Sequence, residues 1–187
     1  MPGENFELKN ASLERLGTTE KKNAEVKTTS VVSGEATYSA GITPSLVEIP
    51  AINVSAEVES LGLTESGAMD VPETGDTVGW FHGGTKPGAR GNAVMAGHVD
   101  DYEGPAIFFE LKSLSIGDEV IIYEGDKKLV FEVTRMESYP YNDAPLQEIF
   151  GYTNEQRLNL ITCTGEFDRE QGTHQERLVV YTQLKNS

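Results

Sequence analysis

The sequence predicts one all-β domain, a sandwich or a barrel, that follows a flexible N-terminal stalk. From Pro44 onward, short apolar runs are separated by Gly, Pro, Asn and Asp, which is typical of many short strands joined by turns. Residues 1–44 are instead rich in Glu, Lys, Asn, Thr and Ser, and they can bury too little apolar surface to offset the entropy of ordering. We therefore predict a stalk over residues 1–44 and a single domain over residues 45–187.

Eight segments of the domain have the composition of β-strands, and eight strands are enough to close a small barrel. They are residues 46–49, 53–58, 78–81, 92–96, 119–123, 129–135, 158–163 and 177–184. Gly125, between two of these runs, can supply the positive φ of a tight hairpin. Helix is predicted only as a turn or two within residues 107–114 and 146–150, which follow Pro105 and Pro145.

The composition argues against several classes of function. Lys and Arg number 15 against 30 Asp and Glu, and the net charge of −15 would repel nucleic acid. The single cysteine, Cys163, cannot form an internal disulfide or, by itself, a thiolate zinc site, so it is either a buried filler or a reactive thiol. No run approaches the roughly 20 apolar residues that cross a bilayer, and the first residues do not form a signal peptide.

Two residues stand at the predicted ends of apolar strands, where scaffolds often present catalytic groups. His98 follows strand 92–96 within AGHVD, and Cys163 ends strand 158–163 within LITCTG. The end position would place the thiol at the rim of the sheet, which suits a nucleophile. The ordinary alternatives are a hydrogen-bonded structural histidine and an inert core cysteine.

Arg177 is the third candidate, because it opens the last predicted strand within RLVVYT. The connection over residues 166–175 contains glycine and can return the chain so that two neighbouring strands lie side by side. An arginine and the thiol of Cys163 could then meet. The alternative is a solvated arginine, or one paired with a carboxylate such as that of Glu176.

AGHVD, LITCTG and RLVVYT together resemble the motifs of the sortase family, in the family's order. The resemblance runs from about Pro44 to the C terminus, and the run GWFHGGTKPGARGNAVMAGHVDDYEGPAIFFEL is most similar to class F sortases, with class D as the nearest neighbour. It implies an eight-stranded sortase-type β-barrel with short helices in the connections. It also implies a cysteine transpeptidase that cuts a signal similar to Leu-Pro-X-Thr-Gly between Thr and Gly and joins the Thr carbonyl to an amine.

The resemblance further implies roles, partners and a location. Cys163 would form a thioacyl intermediate, His98 would protonate the leaving amine and then deprotonate the incoming one, and Arg177 would stabilise the oxyanion. No cofactor or metal is implied. The partners would be the sorting signal of surface proteins and an amine of a cell-wall precursor, at the outer face of the membrane of a Gram-positive bacterium. We expect a monomer whose N-terminal membrane anchor has been removed from the sequence.

By the same resemblance, the connection over residues 136–157 would form the wall that receives the Leu and Pro of the signal. The residues implied for substrate binding are Thr162, next to the nucleophile, and Tyr139, Pro145, Leu146 and Ile149. Apolar residues in this connection fit equally well a long loop that packs its own side chains on the barrel.

Other polar residues could bind a metal ion or support His98. Asp100 could orient the ring of His98, although an aspartate at that position is more often a turn residue. An alternating acidic run could hold calcium but more often forms a solvated loop: Glu166, Asp168 and Glu170. A metal site could also be built from the three histidines, but nothing in their spacing supports one: His82, His98 and His174.

Two other functions remain open at this point. A thiol hydrolase would use the same trio of residues but would give the acyl group only to water. A non-catalytic peptide-binding barrel would have no need for the three chemical positions, all of which are intact. An added amine discriminates the first alternative, because only a transpeptidase diverts product to the new amide.

Overall fold

The computed structural model describes residues 39–185, and eight of its strands close into a barrel. These strands are β1 (Leu46–Ile49), β2 (Val54–Leu61), β3 (Val78–Phe81), β4 (Gly91–Ala96), β7 (Glu119–Glu124), β8 (Lys127–Pro140), β9 (Gln156–Asp168) and β10 (Thr173–Leu184). The short strands β5 (Asp100–Asp101) and β6 (Gly104–Pro105) form a separate hairpin. The order around the barrel is β1-β2-β3-β4-β9-β10-β8-β7, which confirms the predicted all-β barrel of eight strands.

Two of the neighbouring pairs in the barrel, β2–β3 and β4–β9, are parallel, and the others are antiparallel. Parallel neighbours need a long connection, so the chain makes an excursion over residues 62–77 between β2 and β3. The tight hairpin between β7 and β8 turns at Gly125, whose φ of 56° is the left-handed value that the sequence predicted.

Side chains alternate between the two faces of each strand, and this produces two apolar clusters. The inner cluster fills the barrel and includes Trp80, Met95, Phe131, Leu160 and Val180. On β4, β9 and β10, the residues that alternate with those of the inner cluster face the other way. They form an outer cluster that includes Val94, Ala96, Ile161, Cys163, Val179 and Tyr181. Because the outer face is also covered by apolar side chains, these three strands read as nearly continuous apolar runs in the sequence.

The last three long strands extend further than the sequence predicted. β8 continues to Pro140, β9 continues to Asp168 and β10 begins at Thr173, so the connection between β8 and β9 spans residues 141–155 rather than 136–157. The prediction that Cys163 lies at a strand end on the rim of the sheet is therefore wrong, and Arg177 does not open its strand. Beyond Cys163, the polar residues of β9 and β10 pair with each other across the hairpin. This pairing makes them strand, although their own composition does not predict it.

Helix is as scarce as predicted within residues 39–185. α1 covers Leu146–Phe150, and 3₁₀ turns cover Pro50–Ile52 and Phe109–Ser113. No helix in this part of the chain is long and apolar enough to cross a membrane.

Most of the predicted stalk, up to residue 38, lies outside the described residues. Ile42 belongs to the described part and is only 5% exposed, with its side chain in the inner cluster. Its main-chain N–H also donates to the carbonyl of Pro87 at 2.8 Å. Residues just before the predicted boundary at 44/45 therefore already pack on the barrel.

Candidate functional site

His98, Cys163 and Arg177 lie side by side across three neighbouring chain segments. Arg177 on β10 is directly opposite Cys163 on β9, and directly opposite residues of an antiparallel pair share a face of the sheet. β4 pairs with β9 in parallel, with Ala96 opposite Ile161, and the N–H of Gly97 still donates to the carbonyl of Ile161 at 3.1 Å. Continuing this register by two residues brings His98 level with Cys163. The row is therefore His98, Cys163 and Arg177 on the outer face of the barrel.

The ring of His98 is held by a main-chain group. Its Nε2 lies 2.7 Å from the carbonyl oxygen of Pro72, in the connection between β2 and β3. The main-chain carbonyl of His98 accepts from the N–H of Phe108 at 2.9 Å. His98 is half-buried, and both its ring and its backbone are therefore fixed.

Asp100 does not bind the ring of His98. Its Oδ1 lies 3.3 Å from Nε2 of His174, whose Nδ1 lies 3.1 Å from the carbonyl oxygen of Gly165. Asp100 thus does not take the predicted orienting role, and it instead ties the chain after His98 to the β9–β10 hairpin that carries Cys163 and Arg177.

Cys163 is buried in the outer cluster, with 2% of its surface exposed. The partly buried side chains that pack against this cluster include Val71 from the connection between β2 and β3, Phe81 from β3, Tyr139 from β8 and Phe150 from α1. A peptide that reaches the sulfur must therefore displace or slide between apolar side chains.

Arg177 is fully buried, which is unusual for this residue type. Its Nη1 donates to the main-chain carbonyls of His174 and Glu176, both at 2.9 Å, and its Nη2 donates to Oγ1 of Thr173 at 2.8 Å. The register of β10 shifts between His174 and Glu176, and this irregularity turns carbonyls toward the guanidinium. The main-chain carbonyl of Glu176 is thus one of the hydrogen-bond partners of Arg177.

An open cleft of about 2040 Å³ lies beside this row of residues. His98, Arg177 and Tyr141 line it, and most of the charged residues in its lining are acidic. Cys163 is not among the described residues that line the cleft, in keeping with its burial in the outer cluster.

The residues predicted for substrate binding lie on different sides of the sheet. Tyr139 on β8 is directly opposite Arg177 and extends the row by one strand. Ile149 is fully buried in the outer cluster with Cys163, whereas Leu146 and Pro145 are half-buried at the start of α1. Thr162 points away from Cys163 by strand alternation, and its hydroxyl donates to the carbonyl of Gly97 at 2.8 Å. Thr162 therefore ties β9 to the residue before His98.

Two buried asparagines that the sequence analysis missed hold α1 over the outer cluster. Asn92 Nδ2 donates to the carbonyls of Glu148 and Gly151, at 3.1 and 2.7 Å. Asn159 Nδ2 donates to the carbonyl of Ile149 at 2.7 Å. The signal was present, because an asparagine within an apolar strand must find hydrogen-bond partners if it is buried.

Tyr139 and Tyr181 form the far end of the outer face. Their hydroxyl oxygens are 3.0 Å apart, and the guanidinium of Arg135 lies 4.0 Å from the ring centre of Tyr181 while it forms an ion pair with Glu148. Burial raises the pKa of Tyr181 well above its ordinary value, and burial also raises the pKa of Tyr139. Both hydroxyls therefore stay protonated at neutral pH and act as hydrogen-bonding groups.

Within residues 39–185, no group of three or more His, Cys, Asp or Glu side chains is arranged to hold a metal ion. The three histidines therefore form no such group in this part of the chain, and the rings of His98 and His174 have separate hydrogen-bond partners. The main chain of Glu170 donates to the side chain of Asp168 at 2.9 Å, as in a polar turn.

The sequence of residues 47–185 matches the family description of the sortase domain. No curated protein sequence matches the chain significantly. Among solved structures, sortase C-1 from Actinomyces oris is similar with a TM-score of 0.62 and 21% identity, over 78% of this chain and 77% of that chain.

Two further solved structures give the same result. Sortase C from Clostridium perfringens SM101 has a TM-score of 0.58 and 20% identity, over 80% of this chain and 73% of that one. Sortase A from Corynebacterium diphtheriae has a TM-score of 0.61 and 19% identity, over 79% of this chain and 62% of that one. At these identities the likeness establishes the sortase-type fold that the motifs predicted.

Proposed function

Because the chain belongs to the sortase family, we propose that it is a class F-like cysteine transpeptidase that cleaves a Leu-Pro-X-Thr-Gly-like signal between Thr and Gly. The observation that carries this proposal is the row of His98, Cys163 and Arg177 on one face of three neighbouring segments. Strands that neighbour each other lie about 4.8 Å apart, so an acid–base group and a cationic group flank the only thiol of the chain. The class F assignment rests on the spacer sequence between Gly79 and Leu111.

In the first half of the proposed reaction, the thiolate of Cys163 attacks the Thr carbonyl carbon and the carbonyl π electrons move to oxygen. Arg177 is the cationic donor for that oxyanion. When the oxyanion collapses, the C–N bond breaks and the protonated ring of His98 gives its proton to the leaving glycine nitrogen. The products of this half are a thioester on Cys163 and a free amine.

The second half reverses these steps with a new amine. The amine attacks the thioester carbon, neutral His98 accepts the proton that the nitrogen loses, and the C–S bond breaks to release the thiolate of Cys163. Splitting one difficult amide exchange into two thioester steps is the advantage of a covalent nucleophile. We propose an amine of a cell-wall precursor as the natural acceptor.

The remaining assignments are part of the same proposal. The apolar residues Tyr139, Leu146 and Ile149, together with Pro145, form the wall that receives the Leu and Pro of the signal. Residues 45–187 act as the catalytic domain, and residues 1–44 act as a spacer to a membrane anchor. The enzyme works as a monomer, at the outer surface of a Gram-positive cell.

The test is the fate of the acyl group when an amine is supplied. With a Leu-Pro-X-Thr-Gly peptide and a saturating glycine peptide or diamino acid, mass spectrometry is expected to find the new amide as the main product. The reason is that the thioester persists until a nucleophile is deprotonated by His98. If only the free acid forms, the chain is a thiol hydrolase and the transpeptidase proposal fails.

A pair of truncations tests the proposed domain boundary. Removal of residues 1–40 is expected to leave the melting temperature within a few degrees of the full chain and the activity unchanged, because this segment is poor in apolar residues. Removal of residues 1–44 also deletes the buried side chain of Ile42 and should lower the free energy of unfolding by about 2 kcal/mol. Equal and large losses in both truncations would show that the first 40 residues pack on the barrel.

A further inference from the structure

The connection between β2 and β3 contains a group that none of the assignments above uses. The carbonyl of Pro72 is the hydrogen-bond partner of the His98 ring, at 2.7 Å from Nε2. Pro72 is itself buried, and Val71 before it packs against the outer cluster that contains Cys163. The contact is therefore partly buried, at the edge of the cleft, and its segment packs on the cluster that contains the nucleophile.

We propose that the Pro72 carbonyl is the positioning group of His98, and that it fixes the ring in the tautomer with the proton on Nε2. A carbonyl oxygen can only accept a hydrogen bond, so Nε2 must carry the hydrogen in this contact. Among residues 39–185, no other hydrogen bond to this ring is present, and Nδ1 is thereby the nitrogen left for proton transfer. A main-chain carbonyl takes the place that a carboxylate holds beside the histidine of other catalytic triads.

The backbone around this contact is braced in a way that suits positioning. Two consecutive amides, those of Ile107 and Phe108, donate to the carbonyls of Gly75 and His98, at 2.7 and 2.9 Å. The amides of Ile107 and Phe108 thus hold both the segment that carries the Pro72 carbonyl and the backbone of His98. The ring of Phe108 lies in the inner cluster, so this clamp is anchored in the core of the barrel.

Both ends of the Pro72 segment are also held. The N–H of Asp70 donates to the carbonyl of Gly62 at 3.0 Å, and the hydroxyl of Thr77 donates to the carboxylate of Glu59 at 2.7 Å. Because these contacts hold its segment in place, the Pro72 carbonyl loses little entropy when it accepts the N–H of His98. Such preorganisation is what a group that positions a catalytic residue requires.

The proposed tautomer gives a consistent account of both proton transfers. In the imidazolium form, Nδ1–H is given to the leaving amine nitrogen as the C–N bond breaks, and Nε2–H stays bonded to Pro72. In the neutral form, the lone pair on Nδ1 accepts the proton of the incoming amine as the C–S bond breaks. The Nε2 proton is never exchanged during the cycle, and Pro72 serves as a positioning residue that does not touch the peptide.

The test weakens the acceptor without changing a side chain. Replacing Glu73 by its α-hydroxy analogue in the full chain converts the Pro72–Glu73 amide to an ester, whose carbonyl is a poorer acceptor. The matched control replaces Thr74 by its α-hydroxy analogue and weakens the carbonyl of Glu73, which accepts no hydrogen bond within the described residues. We expect the first ester to lower kcat about two- to tenfold with KM nearly unchanged, and the control to leave both kcat and KM unchanged.

A spectroscopic measurement tests the tautomer itself. Nitrogen-15 NMR of the histidine rings, with the His98 signals identified by their loss in His98→Asn, should show the neutral ring protonated on Nε2 in the wild-type protein. The ester at Glu73 should shift the ring toward a mixture of tautomers. A wild-type ring protonated on Nδ1, or equal kcat in the two ester variants, would overturn the proposal.

A rise in kcat/KM in the first ester would also overturn it, in favour of an inhibitory role for this segment. Residues 71–75 are Val-Pro-Glu-Thr-Gly, which match the proposed signal at Pro, Thr and Gly. The contacts argue against mimicry, because the carbonyl of Gly75 and the hydroxyl of Thr74 bond to Ile107 and Asp76 and not to the outer cluster. The kinetic arm rests on the proposed function, whereas the NMR arm needs no substrate. A wild-type enzyme that leaves the peptide intact would therefore refute the function and still let the tautomer be decided.

Discussion

Cys163→Ala is expected to reduce peptide cleavage and transfer by on the order of 10⁴-fold or more, because the variant cannot form the covalent intermediate. With no other cysteine in the chain, no second thiol can substitute for it. The wild-type protein incubated with a Leu-Pro-X-Thr-Gly peptide should carry a thioester to the fragment that ends in Thr. Mass spectrometry after proteolysis should find this adduct on the peptide that contains Cys163.

The fold of Cys163→Ala should survive, since only the sulfur is removed from a cluster of larger apolar side chains such as Ile161 and Val179. A melting temperature close to that of the wild type is the control that separates lost chemistry from lost structure. If the variant cleaves the peptide at the wild-type rate, the thiol is the inert core cysteine that was the alternative, and the whole assignment of function fails.

Sequence patterns were sufficient to predict the eight-stranded barrel, and they singled out the three residues that form the row. Short apolar runs and turn residues predicted eight strands, and the register of the folded sheet sets Arg177 opposite Cys163. What the sequence could not provide was the length of β9 and β10. Residues 164–168 and 173–176 carry little apolar signal of their own, and they are strand because they pair with each other across the hairpin. The burial of Cys163 follows from that pairing and was missed for the same reason.

The partner of His98 could not be predicted from local sequence either. Asp100 was the natural candidate because it has a carboxylate two positions away, but a main-chain carbonyl from a segment 26 residues earlier holds the ring instead. Any residue has a carbonyl, so the identity of Pro72 gives no chemical signal. Only the tertiary path of the β2–β3 connection, clamped through Ile107 and Phe108, reveals it.

Arg177→Ala is expected to lower kcat/KM by on the order of 10²- to 10³-fold, the usual scale for losing one oxyanion donor. The guanidinium also binds the carbonyls of His174 and Glu176, so its loss leaves buried main-chain acceptors without their partner. Each such group costs about 1–3 kcal/mol of stability. Activity must therefore be measured well below the melting temperature of the variant and expressed per folded molecule.

Arg177→Lys is the sharper probe, because it keeps the positive charge and replaces a planar fork of donors by a compact ammonium on a flexible stem. One ammonium cannot reproduce the contacts that Nη1 and Nη2 make with His174 and Thr173 while it also faces an oxyanion next to Cys163. We expect kcat/KM to stay severely reduced with the fold intact. Arg169, exposed on the turn between β9 and β10, supplies the matched control, and Arg169→Lys should be fully active. Full activity of Arg177→Lys would mean that charge alone is sufficient, and full activity of Arg177→Ala would remove Arg177 from the site and make Arg169 the next residue to test.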